Sequence, residues 1–124
     1  MGDGTVDAEA FTAHLAEAGD GPVVMVNLMK FKSPEHAQRF MAATRERIAP
    51  FLESHGAERL YAGLAGPEFC ANEDWDLVVI VRYPSFEVVH RTGSHETIGP
   101  LLNELRRDTM ERARLIVTTP APVG

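Results

Sequence analysis

Apolar positions along the chain change period in a definite order. Over residues 5–18, Phe11, Leu15 and Ala18 follow at spacings of four and three, the repeat of one helix face. Thr5 or Asp7 can cap that helix, and the turn cluster GDGP at 19–22 stops it. The next stretch, PVVMVNLMKFK, predicts a strand over 23–32. SPE at 33–35 then reads as a helix start, with Ser33 as N-cap, Pro34 at the first position and Glu35 in the first turn. Ala37, Phe40, Met41, Thr44, Ile48, Phe51 and Leu52 mark one face of that helix. Pro50 predicts a kink or an early end, and Gly56 the C-terminal cap. Strands follow at 58–65 and 75–83, separated by the loop GPEFCANED at 66–74. A short helix from Ser85 to about Arg91 is broken by TGS at 92–94, and a longer one covers 95–112 with Pro100 disturbing its first half. RLIVTT at 114–119 is the last strand, and a mobile tail is expected over 120–124.

The order is one helix, then β-α-β-β-α-β. The second part is the split arrangement of a ferredoxin-like fold: α+β, one four-stranded antiparallel sheet, with an extra N-terminal helix. The faces of the strands sharpen this. Val23, Met25, Asn27, Met29 and Phe31 share one side of the first strand, and Val24, Val26 and Leu28 the other. In the third strand Trp75, Leu77, Val79, Val81 and Tyr83 face one way. Val78 and Ile80 face the other, between Asp76 and Arg82. Both faces are apolar in the middle, whereas a sheet with one wet face would alternate. Helices from one small chain cover one face only. A second copy of the same sheet is the economical cover for the other, so a homodimer is expected.

Composition narrows the function classes. A chain of 124 residues is one domain by length, and its net charge of −6 lacks a basic stripe. Arg106, Arg107, Arg112 and Arg114 are interleaved with Asp108 and Glu111, so nucleic acid is not an expected partner. Cys70 is the single cysteine, which suits a reducing cytoplasm. The acidic start MGDGTVDAEAF has no apolar signal core, and no run approaches the ~20 apolar residues that span a bilayer. The histidines at 14, 36, 55, 90 and 95 have no metal-ligand spacing, so no metal is expected.

The stretches GPVVMVNLMKFK, GAERLYAG, DWDLVVIVRYPSFE and RLIVTTP resemble the bacterial domain-of-unknown-function family numbered 1330, over roughly residues 5–120. That family lies within the dimeric α+β barrel superfamily, so the resemblance implies a ferredoxin-like domain dimerising into a barrel. It implies no established activity. In related barrels that degrade haem, an Asn on the first strand works with an aromatic on the third and a histidine on a helix. Asn27 matches the first, Tyr83 stands near the second, and no histidine fits the third. No cofactor is therefore expected.

Asn27 is the chemical puzzle, since a buried amide left without a partner costs roughly 1–3 kcal/mol. It either bonds to a neighbouring backbone and fixes register, or points into a cavity beneath the helices. Tyr61 and Tyr83 have an apolar body and a polar tip, suited equally to a pocket wall or a core edge. Trp75 reads as a rim aromatic beside loop 66–74, with Asp76 anchoring a turn. Arg106 is either a bidentate carboxylate binder or part of a solvated helix face. A ligand-binding set of Asn27, Tyr61, Trp75, Tyr83, His95 and Arg106 follows, for a small carbonyl-containing or aromatic molecule. The alternative is a non-catalytic dimeric interaction module with a filled core.

Overall fold

The computed structural model describes residues 5–123. The expected tail therefore loses its last residue, 124, from the description. The elements are α1 (Ala8–Glu17), β1 (Val23–Phe31), α2 (Pro34–Ala43), a π-helical turn (Thr44–Ile48), α3 (Ala49–Ser54), β2 (Glu58–Leu64), β3 (Leu77–Tyr83), α4 (Phe86–Ser94), α5 (Ile98–Thr109) and β4 (Met110–Thr118). The four strands form one antiparallel sheet in the order β2-β3-β1-β4. The fold is the expected α+β, ferredoxin-like arrangement.

Helices α1 and α2 start where a side chain supplies the missing acceptor, whereas Ser85 makes no such bond at the start of α4. The Ala10 N–H donates to Asp7 at 3.0 Å, and the His36 N–H to Ser33 Oγ at 3.3 Å. Gly56, with φ of 84°, reverses the chain after α3, and its N–H and that of Ala57 close onto Glu53 and Leu52. Pro50 has no N–H to give and its ring would strike the carbonyl one turn back. The chain widens into the π-helical turn at Thr44–Ile48 and continues past Pro50 as α3.

Three boundaries differ from the sequence reading. TGS at 92–94 does not break α4, because Thr92 Oγ1 donates to the Val88 carbonyl and Ser94 Oγ to that of His90, both within the helix. The interruption falls at His95, whose Nδ1 accepts the N–H groups of Thr97 and Ile98 at 3.2 and 3.1 Å and so opens α5. The glycines here serve packing. A Cβ on Gly99 would lie 2.4 Å from the Gly93 carbonyl oxygen, so only glycine lets α5 approach α4 so closely. Finally, α5 ends at Thr109, not at 112, and β4 begins at Met110, because Met110 already pairs with Phe31 across the sheet.

The core lies between the helices and one face of the sheet. Val23, Met25, Val81 and Tyr83 pack with Ala57, Phe86 and Val89, while Met29, Phe31, Leu77 and Met110 form a second cluster. These are the residues that strand alternation assigned to one side. On the other side, Val24, Val26, Leu28, Val78 and Ile80 stay half-buried within a single chain, and Ile116 is 47% exposed.

Replacing Gly99 with alanine forces a methyl against backbone, which cannot rotate away. Gly99→Ala should therefore destabilise by about 1–3 kcal/mol, measured by urea denaturation. An unchanged midpoint would mean that α4 and α5 separate freely.

Candidate functional site

A cavity of about 720 Å³ lies between the helices and the inner sheet face, well inside the range of small-molecule sites. Its floor is β1, β3 and β4; its walls come from α1, the π-helical turn, α4 and α5. Met25, Met29, Phe40, Ile48, Leu52 and Leu102 make much of the lining apolar. Phe11 and Phe86 stand 5.2 Å apart, His90 stacks on Phe11 and the His14 ring meets Phe86 edge-on at 4.6 Å.

Polar side chains interrupt this surface, and four of them, Asn27, Thr44, Tyr83 and Arg106, bear on its chemistry. Asn27 sits at the centre of β1, opposite Val79 on one side and Leu115 on the other. Its Nδ2 donates to the Val79 carbonyl at 3.1 Å. Its Oδ1 lacks a hydrogen-bond partner among the described residues, and the residue lines the cavity. One end of this amide is therefore tied to the backbone, and the residue that carries the open end lines the cavity.

Thr44 begins the π-helical turn. Its Oγ1 is buried with no hydrogen-bond partner among the described residues, in a side chain lining the same cavity. Such widened turns recur at functional sites. Thr44 is the site residue that the sequence reading missed, since it was counted as one position on an apolar helix face. The available signal was a hydroxyl on that stripe, six residues before a proline.

Tyr83 is buried at the far end of β3 from Leu77, opposite Val23. Burial pushes its phenol from 10.0 up to about 12, against the pull of the nearby Arg106 charge. Its hydroxyl has no hydrogen-bond partner among the described residues, unusual for a buried tyrosine. Arg106 projects from the last two turns of α5 and is half-buried. Desolvation lowers its pKa, with Tyr83 acting in the opposite direction. Among the described residues Arg106 has neither an acid partner nor a hydrogen bond. In register, Asn27 and Tyr83 are four residues apart along the paired strands, about 13 Å, so the polar groups mark an elongated cavity.

The other three expected site residues lie elsewhere. Tyr61 is 56% exposed and lies over Gly63, on the outer face in register with Ile80, because a bulge after Arg59 reverses its side. Trp75 precedes β3. Its indole N–H donates to Glu73, and the guanidinium groups of Arg112 and Arg114 stand 4.8 and 5.4 Å from its ring centre. It is a packed rim residue, and neighbouring Asp76 does anchor the turn, accepting from the Phe31 N–H at 2.8 Å and from Lys30. His95 caps α5 and meets the Phe51 ring edge-on at 4.6 Å, which commits it to structure. Among the described residues, no three His, Cys, Asp or Glu side chains gather as metal ligands. No helix among them is long and apolar enough to cross a membrane.

Comparison with known proteins bears on the fold. No family model matches the chain, and no curated protein matches it. The chain is similar to the crystal structure of a protein of unknown function from Rhodopseudomonas palustris, at 23% identity and a TM-score of 0.84, covering 99% of this chain and 100% of that one. A methylated form of that protein aligns at 24% identity and 0.81, over 97% of this chain and 96% of that one. A dimeric protein of unknown function with a ferredoxin-like fold, from Bacteroides fragilis, aligns at 14% identity and 0.55, over 79% of this chain and 95% of that one. The architecture is shared; none of the three carries a described activity.

The phenol of Tyr83 has a pH signature. Its pKa is raised in the folded state, so its contribution to stability is complete below pH 10.0 and is lost as pH rises towards about 12. The loss should be on the order of 2–3 kcal/mol and should be absent from Tyr83→Phe. Denaturation of both proteins across pH 9–12 measures it, and identical profiles would refute it.

Proposed function

We propose that this chain is a binder of, or a cofactor-independent enzyme for, a small carbonyl-containing or aromatic molecule held between its helices and its sheet. One observation carries the reading. Three uncharged polar ends, Asn27 Oδ1, Thr44 Oγ1 and the Tyr83 hydroxyl, have no hydrogen-bond partner among the described residues and belong to side chains on the wall of one large, mainly apolar cavity. Buried polar groups in a purely structural core are satisfied by neighbours. Groups left open around a cavity suit a guest that satisfies them on arrival. The second hydrogen of Asn27 Nδ2 would orient a carbonyl oxygen, and the high pKa of Tyr83 keeps it a proton-bearing donor at neutral pH. The rival reading, a filled core serving only as an interaction module, loses support from a cavity of about 720 Å³.

The assembly we propose is a homodimer in which the outer faces of two sheets meet, closing a barrel. Its support is the band of Val24, Val26, Leu28, Val78, Ile80 and Ile116 that one chain leaves open. The resemblance to the family numbered 1330 points the same way, and we place the chain with that family on the strand motifs quoted above. An exposed free thiol at Cys70 favours a reducing cytoplasm.

Native mass spectrometry of the protein from its own host tests the main reading. A stoichiometric small-molecule adduct is the expected result. Thr44→Val should lose that adduct while gaining about 1 kcal/mol of stability, because the unmet hydroxyl is gone. A wild-type protein that is empty in every preparation, and a Thr44→Val variant no more stable than it, would refute the reading. For the assembly, Ile80→Glu should run as a monomer in sedimentation while the parent runs as a dimer. A variant that still dimerises would assign the interface elsewhere.

A further inference from the structure

A guanidinium in an apolar cavity, with no acid beside it, calls for a negative charge from outside the chain. Arg106 is in that position. Elsewhere the arginines of the same region are engaged. Arg39 reaches Glu104 and Asp108, Arg107 pairs with Asp108, and Arg112 donates to the Asp74 carbonyl and stands over Trp75. The one carboxylate on the cavity wall, Asp7, is occupied at the start of α1, accepting the Ala10 N–H at 3.0 Å. Asp7 does not contribute to the electrostatics of Arg106, whose only charged or titratable influence is Tyr83. A cation partly withdrawn from water without an acid beside it costs free energy that a structural role would not require.

We propose that Arg106 is the anchor for a carboxylate, so that the guest of this cavity is a small monocarboxylic acid with an apolar body. The inference rests on the ligand-binding reading above and narrows it to one chemical class. A planar guanidinium matches the two oxygens of a carboxylate, and Tyr83, which lines the same cavity and influences the Arg106 charge, carries a hydroxyl hydrogen for the same group. The other arginine of the lining, Arg114, donates to the Ala113 carbonyl and stands 5.4 Å from the Trp75 ring centre, which leaves Arg106 to meet one negative charge rather than a phosphate dianion, which attracts several donors. The apolar body would lie along the sheet towards Asn27 and Thr44, between the methionines of β1 and the Phe11–Phe86 pair. There the unpartnered Asn27 Oδ1 and Thr44 Oγ1 would read a second polar group on it.

Titration calorimetry with benzoate, phenylacetate and hexanoate, each beside its neutral carboxamide, tests the assignment on the full chain. At least one acid should bind tenfold or more tightly than its amide. In Arg106→Gln that preference should shrink to within about twofold, while the amide binds as it does to the parent. The variant removes an unpaired charge from a cavity wall, so it should fold, with a melting temperature no lower than the parent's. Amides binding as well as acids, or an acid preference that survives in Arg106→Gln, would overturn the carboxylate assignment and leave the cavity reading standing. If none of the six compounds binds and native spectra show no guest, the cavity reading falls with it.

Discussion

Strand β1 is hydrogen-bonded along both edges, to β3 and to β4, and the other elements take their positions from it. A central strand has no backbone group to spare. Any polar side chain on it must find a partner that the ladder has not already used. Asn27 does so with one hydrogen, using the second lone pair of the Val79 carbonyl directly opposite. That bond fixes the amide plane and leaves the oxygen facing the cavity. The register of the sheet and the presentation of a polar group are thus set by the same contact. A leucine here would pack as well, and would present nothing.

The strand also dictates how the helices must lie. Its inner face is covered near both ends, by the cluster around Val23 and Met25 and by the one around Met29 and Phe31. Between them the cover lifts off the floor. The π-helical turn widens the backbone where Pro50 prevents a regular helix, and it puts Thr44 on the wall without the usual bond from its hydroxyl to a carbonyl one turn back. The outer face is a separate matter. Its Val24, Val26, Val78 and Ile80 stay half-buried and its Ile116 is exposed.

Most of the architecture was legible because its signals are local. Period-two alternation assigned the inner and outer residues of β1 and β3 correctly, and the caps at Asp7, Ser33 and Gly56 are written in residue type. The misreadings share a cause: they depended on contacts distant in sequence. Gly93 looks like a break until Gly99 is seen to need the space beside it. Tyr61 would face inward but for a bulge, and a bulge has no clear sequence mark here. The site was half legible. Asn27, Tyr83 and Arg106 do line one cavity, whereas Tyr61, Trp75 and His95 were chosen by residue type and serve the surface, the rim and a helix cap. Thr44 escaped notice because an unmet hydrogen bond is a property of three dimensions.

These features point in one energetic direction. Asn27 Oδ1, Thr44 Oγ1, the Tyr83 hydroxyl and the Arg106 guanidinium have no hydrogen-bond partner among the described residues, and the buried Thr44 hydroxyl and the partly desolvated Arg106 charge cost stability in the empty chain. One such group in a small domain is an ordinary imperfection. Four on the wall of a single cavity, from two strands, a π-helical turn and a helix that meet only in the folded state, form a set that a filled apolar core would not need. The same groups would gain most from a guest, since a bond made where water is excluded replaces nothing. Local frustration of this kind is found where sequence serves binding at the expense of packing. The instability of the cavity and its use are then one property, seen before and after the guest arrives.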